Sequence, residues 1–172
     1  PTPGNHDANN QDGLTPYYNF FTLPHNEVYY KVRWRPVTLY SVNTTFTNLT
    51  EQVNWLQNEV RLSATPFNIV FLHHPPFSAG PHGNNSFSQI PFNDMNIDVV
   101  FSGHDHIYQR LVKDGEEDVC YIVNGLGGKN VNGCNLDKLG PGVTNLCCYG
   151  EDYGAVKVIA TYSELKLAFY RV

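Results

Sequence analysis

NIDVVFSGHDH, residues 96–106, opens as a short apolar run and closes on two histidines around an aspartate. Ile97, Val99, Val100 and Phe101 are β-branched or aromatic, which suits an interior strand. Ser102-Gly103 breaks the run, so His104 and His106 fall where the strand gives way to a loop. In open α/β sheets that end of a strand is where ligands bind. Taken alone, the motif is equally a polar turn with solvated histidines. Partners elsewhere in the chain have to decide.

FNIVFLHH (67–74) repeats the pattern, an apolar run ending in His73 and His74, and Pro75-Pro76 stiffens the exit. Gly4-Asn5-His6-Asp7 supplies a third turn with histidine. Imidazole is a good ligand for borderline divalent and trivalent metals, and an asparagine carbonyl is a harder companion. His104 and His106 are two apart, so on extended backbone they point to the same face.

The remaining elements follow from pattern. Residues 1–27 read as loop. VYYKVRWR (28–35) and VTLYSVN (37–43) are neighbouring strands split by Pro36. Residues 50–62 predict a helix with Thr50 as N-cap and Val53, Leu56 and Val60 on one face. A loop covers 75–89, a short helical piece lies near 91–97, and CYIVNGL (120–126) is a further strand. The Gly- and Asn-rich stretch 127–154 is long for a structureless loop, and such loops are often functional. VKVIAT (156–161) and ELKLAFYRV (164–172) predict a closing hairpin. No internal repeat or domain boundary is visible.

At 172 residues the chain can bury about two-thirds of its unfolded surface as one domain. No run of about 18 apolar residues predicts a membrane span. A net charge of −5 with scattered Lys and Arg argues against a nucleic-acid partner. The four cysteines lack C-x-x-C spacing, which argues against a thiolate zinc site. Cys120 reads as a small buried side chain, and Cys134 is free to pair with Cys147 or Cys148. Sequons stand at Asn43, Asn48 and Asn84, where chance would supply about two; they lean only slightly toward a secreted or periplasmic location. Gly125-Leu126-Gly127-Gly128-Lys129 lacks the Ser or Thr of a P-loop and reads as a turn.

GNHD, VFLHHPPFS and GHDHIYQR together resemble the later three motifs of the calcineurin-like metallophosphoesterases, and more narrowly the purple or tartrate-resistant acid phosphatases. VNGLGG and EDYGAV favour that narrower branch, and the likeness runs over nearly the whole chain. It implies an α/β fold, a four-layer β-sandwich flanked by helices, with metals at the strand ends. It also implies hydrolysis of phosphate monoesters at a dinuclear centre, by direct attack of a metal-bound water or hydroxide. Carried over by position, Asn5, His73 and His104 bind one metal and His106 the other. His6 then lies against the phosphate or the leaving oxygen, and His82, nine residues after His73, faces the substrate. His74 reads as packing or support, and His25 as exposed. Asp105 is open between fixing a ligand imidazole and lying exposed in a turn. The ligand set permits iron, manganese or zinc. The implied substrate is a phosphorylated small molecule or phosphoprotein.

The resemblance also calls for an early strand-end Asp and a GDxxY motif with a bridging Asp, both ahead of GNHD, where this chain begins. Residues 1–172 are therefore expected to be the C-terminal portion of one metallophosphoesterase domain, inactive by itself, lacking the N-terminal strands and exposing an apolar sheet edge. Two alternatives stay open. One is a phosphodiesterase of the same superfamily, for cyclic nucleotides or other esters. The other is a non-catalytic metal- or protein-binding module.

Overall fold

The computed structural model describes residues 1–8, 11–45 and 48–172. Its strands are β1 (Tyr30–Trp34), β2 (Val37–Ser41), β3 (Phe67–Phe71), β4 (Val99–Ser102), β5 (Tyr108–Lys113), β6 (Glu116–Asn124), β7 (Val143–Tyr149), β8 (Gly154–Ala160) and β9 (Leu165–Arg171). Seven form one mixed sheet in the order β1-β2-β3-β4-β6-β5-β7. Within it β2, β3, β4 and β6 are parallel, and antiparallel partners flank them on both sides. β8 and β9 pair antiparallel as a separate two-stranded sheet.

Among the described residues, two α-helices accompany the strands, α1 (Thr15–Phe20) and α2 (Leu49–Arg61). α1 lies where loop was expected; Pro16 in its first turn presets helical φ without needing a donor. The cap of α2 is Asn48, not Thr50: its side chain accepts from the Thr50 N–H at 3.1 Å. Leu56 and Val60 face the core as expected, and Val53 packs at its margin. Gln52 is also fully buried there, because its amide closes a two-way bond with the Asn43 backbone, both contacts 2.8 Å. Asn43 is itself fully buried, so the first sequon is no surface glycan site. The helical piece near 91–97 is a single 3₁₀ turn, Asn93–Met95.

Strand alternation splits the core in two. Tyr40, Val70, Val100 and Tyr121 pack under α2 and the 77–97 segment. Ile69, Val99 and Ile122, one residue out of phase, face the β8-β9 hairpin, where Phe169 stacks on Tyr108 at 4.0 Å. The layers are thus helix and loop, large sheet, and second sheet, three of the four expected. The expected apolar exposure lies mainly on a face. Val37, Leu39, Ile69, Phe71 and Phe101 line a cleft of about 610 Å³ against Val156 and Val158, and Trp34 at its rim is 72% exposed. Among the described residues, no helix is long and apolar enough to cross a membrane.

Candidate metal centre

β3 and β4 are parallel neighbours with Phe71 opposite Phe101, so both chains leave the sheet at the same edge. Their ladder continues past the strands: the Leu72 N–H donates to the Phe101 carbonyl and the Gly103 N–H to the His73 carbonyl, each at 3.0 Å. His73 and His104 therefore emerge side by side on rigid backbone. His104 adopts φ +65°, a left-handed conformation rare for a residue with a side chain and frequent at functional sites. The N-terminal segment is laid across this edge by the Thr2 hydroxyl, which donates to the Val42 carbonyl at 3.0 Å, and by the Thr45 hydroxyl, which donates to the Pro3 carbonyl at 3.0 Å. Gly4 passes so near His73 that a Cβ there would lie 2.7 Å from the ring. Only glycine lets Asn5 come this close.

Three donor atoms meet as a result. His73 Nε2 lies 2.8 Å from Asn5 Oδ1 and 3.1 Å from His104 Nδ1, and the last two are 3.2 Å apart. Ligands at about 2.0–2.2 Å from one ion stand about 3 Å apart when mutually perpendicular. The triangle has that size, and its N, N, O donor set fits a borderline cation. His106 turns elsewhere: its Nδ1 is 2.9 Å from the Asn130 carbonyl. A carbonyl only accepts, so Nδ1 carries the hydrogen and Nε2 keeps its lone pair for a ligand.

A pocket of about 450 Å³ gathers Asn5, His6, His73, His82, His104 and His106, all six residues singled out in the sequence. The His82 ring stands 4.1 Å from that of His104. The pocket also includes Gly125, Gly127, Gly128 and Lys129, whose pattern reads as no more than a turn. β6 is parallel to β4, so its exit opens on the same edge, and the strand-end argument used for the histidines reaches it too.

His74 sits beside the cluster, its ring 4.6 Å from His104 and 4.8 Å from His73. A nitrogen of His74 lies within 4.8 Å of nitrogens of His73 and His104, so proximity alone would admit it as a ligand. Its Nδ1 is 3.1 Å from the Thr44 hydroxyl, which also accepts the His74 N–H at 3.1 Å. The Thr44 bond admits either tautomer: a hydroxyl donating to Nδ1 leaves Nε2 as a donor, and Nδ1 donating to the hydroxyl leaves Nε2 free for an ion. Asp105 meets neither expectation, being fully buried and bonded to the loop before His82. Cys134 pairs with Cys148 (Cα–Cα 6.4 Å), which leaves Cys147 exposed and Cys120 half-buried as free thiols.

Comparison with known proteins bears on the family and the fold. The family model for calcineurin-like phosphoesterases matches residues 1–108. Fe(3+)-Zn(2+) purple acid phosphatase 12 of Arabidopsis thaliana is 28% identical over 149 residues, which are 73% of this chain and 31% of that protein. Purple acid phosphatase 21 of the same plant is 28% identical over 123 residues, 62% of this chain and 28% of that one. This chain thus spans less than a third of either relative's length. Among solved structures, a purple acid phosphatase from yellow lupin (Lupinus luteus) seeds superposes with TM-score 0.81 at 17% identity, covering 98% of this chain and 35% of that one. GAP50, the anchor in the inner membrane complex of Plasmodium, gives 0.53 at 15% identity over 76% of this chain and 46% of that one. With its motifs at the shared edge of β3 and β4 and more than half its length matched, the chain belongs to the calcineurin-like phosphoesterase family.

Proposed function

We propose that residues 1–172 are the later portion of a single metallophosphoesterase domain that hydrolyses phosphate monoesters at a dinuclear centre. One observation carries the reading: three donors from three separate segments converge within 3.2 Å at one sheet edge. Asn5, His73 and His104 would hold one ion and His106 the other. The iron and zinc in the name of one plant relative support such a pair. When bound, two cations neutralise phosphate oxygens and make water a stronger nucleophile.

The protein's own groups do the rest. His6 faces the phosphate or the leaving oxygen, and His82 gives the leaving oxygen its proton. The substrate is a phosphorylated small molecule or phosphoprotein. The Cys134–Cys148 disulfide supports a secreted or periplasmic setting, where such bonds persist. Taken alone, 1–172 offers three ligands to one ion and one to the other, so the isolated chain is inactive.

The test compares the full-length polypeptide with 1–172, each loaded with iron and zinc and assayed for bound metal and nitrophenyl phosphate hydrolysis. Full-length protein should bind two ions and turn over, and His104→Ala should cost it at least about 10²-fold in rate together with bound metal. Full-length protein that binds no metal, or is unaffected by His104→Ala, would overturn the proposal. A phosphodiester run in parallel identifies the ester class.

A further inference from the structure

Asp105 lies between two of the proposed ligands and is 0% exposed. A carboxyl group so removed from water needs its oxygens answered by donors. The donors come from the loop across the pocket. Oδ2 accepts from the Ser78 hydroxyl at 2.5 Å and Oδ1 from the His82 N–H at 3.0 Å. The Ser78 oxygen in turn accepts from the Gly80 N–H at 3.0 Å. Packing is equally tight, for a Cβ on Gly80 would lie 2.3 Å from Asp105 Cγ. Residues 78, 80 and 82 thus hang on one carboxyl group.

Other ties share the loop: beside His82 the Lys138 ammonium donates to the Pro81 carbonyl and the Gly83 N–H to the Gly80 carbonyl at 3.2 Å. The Ala79 N–H donates to buried Gln109 at 2.8 Å, and the Asn135 N–H donates to the Ala79 carbonyl at 2.7 Å. Asp105 reaches the amide of His82 itself. The turn that brings His104 into the donor triangle also carries Asp105 into this loop, so the two side chains share one piece of backbone.

We propose that Asp105 is a positioning residue. It fixes the backbone of His82 so that the imidazole stands over the donor cluster, registering the leaving-group side of the pocket against the metal side. His82 is exposed and its loop contains Gly80 and Gly83; the turn is closed by its own bond and by Lys138, while Asp105 is what holds the His82 amide itself. A proton donor must lie within hydrogen-bond reach of its acceptor, and a misplacement of about 1 Å can cost 10²-fold. The inference rests on the reading of the pocket as a phosphoester site.

The experiment uses the full-length polypeptide loaded with zinc, as wild type, Asp105→Ala, Asp105→Asn and Gly80→Ala. Asparagine keeps an oxygen for the His82 amide and can donate to the Ser78 oxygen, so it is the rescuing variant. The His82 ring signal in an NMR spectrum of ring-labelled histidine, assigned by its absence in His82→Ala, reports the position over His104. In Asp105→Ala that signal should move to the place of a free surface histidine while zinc content holds. The rate on an alkyl phosphate should fall by about 10²-fold, and the rate on nitrophenyl phosphate far less. Asp105→Asn should restore both readouts. Gly80→Ala should reproduce the loss from the loop side, and it decides the matter if Asp105→Ala does not fold. An unmoved His82 signal, or lost zinc with both esters slowed alike, would overturn the proposal. A wild type with no hydrolysis would refute the phosphoester reading alone, since the NMR comparison still decides the positioning.

Discussion

Burial sets the charge of the cluster. Desolvation, reinforced by neighbouring imidazoles, pushes His73 down to about 3 and His104 down to about 4, and His74 is lowered chiefly by burial as well. Neutral imidazole is the form that binds metal, so acidity that would protonate a surface histidine leaves these two competent. The same shifts fix a sign for stability. Below about pH 6.5 the unfolded chain takes up protons that the folded chain refuses, so stability falls as the pH drops, and goes on falling toward pH 3. In EDTA, thermal unfolding of the full-length protein should give a midpoint that declines between pH 6.5 and 5. His73→Gln should flatten that decline, and a level wild-type profile would contradict it. A second expectation concerns His82. His82→Ala should lose about 10²–10⁴-fold on an alkyl phosphate and much less on nitrophenyl phosphate. Equal losses would make it a phosphate-positioning group. Asn5, His73 and His104 were legible because Gly or Pro marks each turn and apolar runs precede two of them. Asp105 was not, because the loop it holds is 23–27 residues away and no local pattern joins them.

The stretch 127–154 shows where composition misleads about elements. Its glycines and asparagines conceal β7, which pairs with β5 at the sheet's end through alternating contacts that propensity does not encode. The loop before β7 is tied to the site at three points. The Asn130 carbonyl accepts from His106, the Asn132 N–H donates to the His106 carbonyl at 2.9 Å, and the Asn135 N–H reaches Ala79. The disulfide anchors this loop to β7. Closing a loop of that length contributes about 3 kcal/mol on the chain-entropy model. Cys134→Ser should therefore lower the melting temperature and cost bound metal at the His106 side first. Metal titration beside calorimetry checks both, and a variant with an unchanged melting temperature and two full sites would refute the link. β1, β2, α2, β3, β4, β6 and the β8-β9 hairpin were legible, because their apolar or alternating pattern is strong enough to survive without tertiary help.

At the scale of the molecule, the large sheet puts every proposed ligand at one edge and leaves an apolar cleft between its other face and the hairpin. The layer order was legible because parallel buried strands read as unbroken apolar runs, whereas strand order depends on pairings between distant segments. That distance also orders events in time. Members of the donor triangle are 31, 68 and 99 residues apart in the chain. Loops of that size close late, after local turns and helices have formed, because their entropy is lost before any contact rewards it. In refolding with cobalt present, the visible absorption of the ion should lag behind the far-ultraviolet signal of secondary structure; simultaneous appearance would contradict the expectation. A polypeptide stalled partway would carry helices and hairpins yet hold no ion, so the metal reports on completed folding.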